Sequence, residues 1–212
     1  MNNIMLCNNA LFARVLKAST KSIFSLFVVL MLLSVNAQAQ WSKMSLSATD
    51  IHSFAIDPSA PANMFAGTKC IGTGDGVCTA ITGLYRSTNA GVNWTQVTSS
   101  LFSQKAVHVI AIAPDNTVNN KKMFISVENS GVFKSVDSGL NWTPAPIKPT
   151  GNPTFNLTQY VSQILVTNTI GSQQVTYAVV SSSSQYQNAG GIYATVNDGV
   201  TWNQIYIGDG IQ

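Results

Sequence analysis

Large and small, apolar and polar positions alternate along this chain in short runs, and the runs recur in a fixed order. Ile51-His52-Ser53-Phe54-Ala55-Ile56 alternates and then stops at Asp57-Pro58, the pattern of a half-buried strand and its end. Val107-His108-Val109-Ile110-Ala111-Ile112 repeats it before Ala113-Pro114, and Val161-Ser162-Gln163-Ile164-Leu165-Val166 is a looser third copy. A second strand follows each one, over 64–68, 123–127 and 175–180. A third opens on glycine: Gly83-Leu84-Tyr85-Arg86, Gly131-Val132-Phe133-Lys134 and Gly191-Ile192-Tyr193-Ala194. A fourth leaves at a tryptophan. Four short strands written three times predict an all-β chain of β-propeller blades, each of four antiparallel strands, at about 51–99, 107–147 and 161–207.

Between third and fourth strand stands the same octet: Ser87-Thr88-Asn89-Ala90-Gly91-Val92-Asn93-Trp94, Ser135-Val136-Asp137-Ser138-Gly139-Leu140-Asn141-Trp142 and Thr195-Val196-Asn197-Asp198-Gly199-Val200-Thr201-Trp202. Each residue type has a job in a tight turn. The leading hydroxyl and the Asp or Asn carbonyl oxygen accept hydrogen bonds from turn amides. The glycine supplies a positive φ, and the Trp is expected to bury its ring against its own hairpin. The octets start 48 and 60 residues apart, with the excess length falling in loops, where repeats tolerate insertion.

Trp41-Ser42-Lys43-Met44-Ser45-Leu46 resembles the strand after an octet but has no octet before it. It reads as a possible closing strand for a propeller. Three blades are fewer than the four or more of a closed ring. The expectation is a partial propeller whose open ends are covered by downstream blades or by another chain.

The first 39 residues read as a signal peptide. Arg14, Lys17 and Lys21 precede the apolar run Ile23–Val35, and Ala37 and Ala39 sit where a signal peptidase reads small residues. The run has 13 residues, short for a span of about 20; an uncleaved anchor is the alternative. Cleavage after Ala39 removes three of the chain's 11 basic residues and leaves 8 against 8 acidic ones. The basic balance therefore belongs to targeting and gives no support to nucleic-acid binding. After cleavage no membrane segment is expected and the destination is secreted, periplasmic or cell-surface. Cys70 and Cys78 are then the remaining cysteines, and in an oxidising space a disulfide between them is expected.

The octets, each after Gly-aliphatic-aromatic or a near equivalent, resemble the Asp-box (bacterial neuraminidase) repeat. Phe54-Ala55-Ile56-Asp57-Pro58, Phe65-Ala66-Gly67-Thr68 and Gly83-Leu84-Tyr85-Arg86-Ser87 are similar to the propellers of sortilin-like receptors and xyloglucanases. Asn89 and Asn197 replace the Asp of the repeat and keep an acceptor. The resemblance implies fold and not activity, since its members include sialidases, glucanases, sorting receptors and photosystem assembly factors.

Candidate chemistry is sparse. Sialidases resemble one another in an arginine cluster, whereas the chain after residue 39 keeps only Arg86, which reads as surface. A glycosidase needs two carboxylates across the sugar bond. Asp137 and Asp198 belong to octets and are expected to bind turn amides; Asp57 and Asp115 flank strand-ending prolines or follow them. Asp50, Asp75, Glu128 and Asp209 remain, with Asp50 and Glu128 the least explained and so the weak catalytic candidates. His52 and His108 occupy one repeat position, so neighbouring blades bring them together as a candidate binding rim; the third copy has Ser162 there. No metal or cofactor is implied. The favoured function is an exported binding or scaffold module for a protein or glycan, non-catalytic on its own. Part of a secreted glycoside hydrolase is the alternative.

Overall fold

The computed structural model describes residues 46, 50–69, 72–73, 77–78, 82–114, 121–148, 161–167, 173–181 and 189–207, all within one compact unit, Met44–Gln212. The expected signal peptide over 1–39, the possible closing strand over 41–46 except Leu46, Cys70 and hence its pairing, and Asp75, Asp115 and Asp209 lie outside the described residues.

Three four-stranded antiparallel sheets follow one another. The first holds β1 (Ile51–Ile56), β2 (Met64–Thr68), β5 (Leu84–Ser87) and β6 (Thr95–Gln96), with a small hairpin of β3 (Gly72–Thr73) and β4 (Val77–Cys78) between β2 and β5. The second holds β7 (Val107–Ile112), β8 (Met123–Val127), β9 (Gly131–Ser135) and β10 (Thr143–Pro144). The third holds β11 (Val161–Val166), β12 (Thr176–Val180), β13 (Gly191–Thr195) and β14 (Asn203–Ile207). Each sheet is a meander in chain order. This is the blade organisation expected from the alternating runs.

The apolar cores lie between blades. One cluster joins Phe65 and Leu84 of the first blade to Val107, Met123, Ile125, Phe133 and Trp142 of the second, with Phe102 of the connecting loop. The other joins Phe124, Ala145 and Ile147 of the second blade to Val161, Ile164, Val166, Tyr193 and Trp202 of the third. β8 is buried along its whole length because both of its faces meet a neighbouring sheet. A blade therefore cannot complete its core alone, the defining property of a repeat array.

The octets form seven-residue turns held from inside. Ser87 Oγ accepts from Gly91 N–H at 2.9 Å and Asn89 Oδ1 from Asn93 N–H at 2.8 Å. The second and third octets repeat the pair through Ser135 and Asp137, and through Thr195 and Asn197. Two consecutive residues take a positive φ in each: Ala90 and Gly91, Ser138 and Gly139, Asp198 and Gly199. Only the second is always glycine, with φ of 83°, 81° and 75° against 55–60° for the residue before it, and in the second and third octets packing adds a further reason. A Cβ on Gly139 would stand 3.0 Å from the Phe65 ring, and one on Gly199 would stand 2.8 Å from Ala145 Cβ. Both obstacles belong to the preceding blade.

This corrects the expectation that each Trp rests on its own hairpin. Trp94 and Trp142 do donate Nε1–H to the Gly91 and Gly139 carbonyls of their own octets. Trp202 instead donates to the Ala145 carbonyl of the blade before it, 3.3 Å away, and its ring meets Phe124 edge-on at 6.2 Å. Trp142 likewise meets Phe102, of the loop ahead of its blade, at 5.9 Å. The octet is a coupler between blades as well as a turn.

Candidate functional site

Every blade has two ends. The octets and the loops between its first two strands lie at one, the octet end. The other is marked by a β-bulge at a constant position: the pairing slips between Ile51 and Ser53, between Val107 and Val109, and between Val161 and Gln163. The unpaired residues are His52, His108 and Ser162. A bulge bends its strand and re-aims the extra side chain. The sequence gives the shared position but hides the bulge, because one added residue only blurs the alternation.

The bulge sits at a seam. β1, β7 and β11 lie side by side across successive blades. Ser53 Oγ donates to the Val107 carbonyl at 2.9 Å, tying the first blade to the second beside the first two bulges. Ser126, the residue of β8 that corresponds to Gly67 of β2, makes the equivalent bond to the Val161 carbonyl at 3.4 Å. The imidazoles of His52 and His108 meet edge to face with centroids 4.8 Å apart. His52 is exposed and His108 half-buried. Burial, and then the charge of His52, hold His108 below the usual imidazole value; Glu128 opposes this and Lys69 adds to it. Lys69 and Glu128 occupy one repeat position just beyond the second strand, where Lys69 N–H bonds the Asp50 carbonyl and Glu128 N–H bonds the Ala106 carbonyl. Two imidazoles, a carboxylate and an ammonium thus gather at the bulge end of one seam, with Asp50 beside them.

A shallow depression of about 390 Å³ opens at the same end of the first blade, lined by Gly83, Gln96, Thr98, Ser99, Phe102 and neighbouring serines. Its described lining has hydroxyls and amides but no acid. All the described segments that join second to third strands, and one blade to the next, also leave from the bulge end. These are the connections whose lengths differ most from blade to blade.

Among the carboxylates Asp137 and Asp57 take the turn roles expected of them, and Asp198 departs from its own. Asp137 binds turn amides, accepting from Asn141 N–H at 2.9 Å and Leu140 N–H at 3.1 Å. Burial pushes its carboxyl up, but bonds from Asn141, Ser135 and Leu140 outweigh that and hold it below the usual range. Asp198 does not bind turn amides; it pairs with Lys122 of the preceding blade. Asp57 accepts from Ser59 N–H and Oγ in its turn, at 2.9 and 2.8 Å, and also faces the buried Lys121 ammonium of the next blade, 3.9 Å away. Asp50 and Glu128 stand at the same end of adjacent blades, one just before β1 and the other just after β8, and Glu128 is exposed. Arg86 is no free surface residue: it is half-buried, with its guanidinium 5.7 Å from the Phe65 ring centre. Among the described residues no group of three or more His, Cys, Asp or Glu is placed to hold a metal ion, and no helix is long and apolar enough to cross a membrane.

No family model matches the chain, and no curated protein matches it. Solved structures do. YCF48 from Cyanidioschyzon merolae superposes with a TM-score of 0.50 at 15% identity, over 78% of this chain and 43% of that one. A GH74 enzyme of Niastella koreensis gives 0.48 at 19% identity, over 73% of this chain and 21% of its own. The GH74 xyloglucanase of Xanthomonas campestris gives 0.47 at 16%, over 79% and 20%. The chain spans about a fifth of the two enzymes and two fifths of YCF48. The likeness is one of fold, a β-propeller-like arrangement of blades.

Proposed function

We propose that this chain is an exported, non-catalytic binding module of Asp-box propeller blades, carrying a protein or glycan ligand on its bulge end. The leader over 1–39 supports export, and the three octets support the Asp-box assignment. One observation carries the functional reading: chemistry and loop variation share an end. His52, His108, Lys69 and Glu128 gather there, beside the hydroxyl-lined depression and the loops of unequal length. In repeat proteins such insertions map to one face, often the binding face, and loops on a rigid frame are where recognition resides. The octet end, by contrast, commits its polar groups to turns and seams. Asp137, Asp198 and Asp57 are engaged there.

The test is an immobilised panel of β-glucans and extracellular proteins, followed by calorimetry on what binds and an assay for new reducing ends. His52→Ala and Glu128→Ala are expected to weaken binding about tenfold or more with unchanged melting. Leu140→Ser, at the octet end, leaves it intact. If reducing ends appear and Glu128→Gln or Asp50→Asn abolishes them, the chain is a hydrolase and the reading is wrong.

A further inference from the structure

The two imidazoles at the first seam meet, yet neither is held in place by a hydrogen bond. Among the described residues no hydrogen bond or ion pair engages a ring nitrogen of His52 or His108. Each is the unpaired residue of its bulge, so two adjacent blades turn one imidazole apiece toward a shared point. The ring centres stand 4.8 Å apart with their planes at 85°. That spacing has a chemical meaning. An imidazole nitrogen binds a divalent ion such as zinc at about 2.0–2.1 Å, which puts the ring centre roughly 3.2 Å from the metal. Two rings on one ion, at angles between about 90° and 109°, then have centres about 4.5–5.2 Å apart. The observed pair falls inside that window. Rotation about Cβ–Cγ turns the exposed His52 ring with little movement of its centre, which brings a nitrogen of each ring onto one ion.

We propose that His52 and His108 form a two-imidazole site for a late first-row divalent ion, Cu²⁺ before Zn²⁺, which clasps the first blade to the second. Burial favours the neutral His108 ring that a metal requires. Glu128 brings a negative charge to the same place; Lys69 opposes it, but its exposed ammonium stands on a flexible stem. Among the described residues no third His, Cys, Asp or Glu joins the pair as a ligand. Water therefore completes the coordination shell, and the ion exchanges where a site of three or four protein ligands would hold it. The second seam has Ser162 at its bulge and forms no such pair. The site stands independently of the protein or glycan ligand proposed above, since the metal alone is its probe.

Calorimetric titration of the chelator-stripped chain with copper(II) chloride, and separately with zinc chloride, tests this. A single ion per chain is expected, with copper the tighter. Saturating zinc should also raise the melting temperature, because the ion binds the folded seam and not the unfolded chain. The chain has only these 2 histidines, so His52→Gln and His108→Gln each leave a lone imidazole. Each should weaken binding on the order of tenfold or more and abolish the rise in melting. Because His52 is exposed, His52→Gln should melt with the metal-free parent, which separates a lost ligand from a lost fold. Binding that survives both substitutions unchanged would place the ion elsewhere, on cysteine thiols for instance, and would overturn the proposal. So would a parent chain that binds neither ion, or one whose melting temperature saturating zinc leaves unmoved.

Discussion

Gly67→Ala should open the first seam. A Cβ at Gly67 would lie 2.2 Å from Ser53 Oγ, 2.4 Å from the Val107 carbonyl oxygen and 2.8 Å from Val107 Cβ. The φ of Gly67 is not in the left-handed region, so the cost is steric. The first obstacle is a side chain that can turn away. The second is backbone of the next blade, already fixed by the pairing of β7 with β8, and relief requires the blades to part. Overpacking of this kind costs typically 1–3 kcal/mol, and the backbone overlap places Gly67→Ala at about 3 kcal/mol. In a chain of this size that lowers Tm by roughly 6–12 °C. Far-ultraviolet circular dichroism during heating reads the loss. Ser53→Ala alone removes one hydrogen bond and should cost about 1 kcal/mol. The double variant Ser53→Ala/Gly67→Ala is decisive. Melting no lower than that of Ser53→Ala would mean that the side chain was the whole obstacle and that the blade backbones are not in close approach. At the second seam Ser126 stands where Gly67 does, with its oxygen 3.4 Å from the Val161 carbonyl, so Ser126→Ala is expected to be mild.

Asp137→Ala should destabilise by roughly 2 kcal/mol through lost charge-assisted bonds, with Asp137→Asn costing less because Asn89 and Asn197 serve the same turn; chemical denaturation compares them. Because hydrogen bonds hold the Asp137 carboxyl low, its contribution is present above the ordinary carboxylate pKa and fades as pH falls through its lowered value. For His108 the fold favours the neutral ring, so the unfolded chain takes up a proton first. Stability should fall as pH drops below about 6.5, and His108→Gln should flatten the slope below that pH. Lys121→Ala leaves Asp57 buried without its facing ammonium and should cost about 3–5 kcal/mol; adding Asp57→Asn should recover part of that in the same denaturation assay.

The strands and the octets were legible because they are local. Ile51–Ile56 and Val107–Ile112 announce themselves by alternation, and Gly91, Gly139 and Gly199 by turn chemistry. The meeting of His52 with His108 was legible for a different reason: equal positions in a repeat become neighbours once blades stack. What stayed hidden crosses a seam. Nothing near Asp198 in the chain names Lys122, 76 residues away, and nothing near Asp57 names Lys121. The repeat also conceals direction. It states that each octet has a Trp and a Gly, but not that Trp202 and Gly199 lean on the preceding blade. The bulge at His52 was illegible because its extra residue looks like ordinary irregularity in a short strand.

That lean gives the arc a grammar of time. A polypeptide grows from its N-terminus, so when the second and third blades are being made, the surface their octets must grip has already been made. Gly139 finds Phe65 waiting, and Gly199 finds Phe124 and Ala145. Had the octets leaned the other way, every turn would stand idle until a later blade arrived, with its Trp bare in the meantime. The chain is written in the order in which it can be assembled.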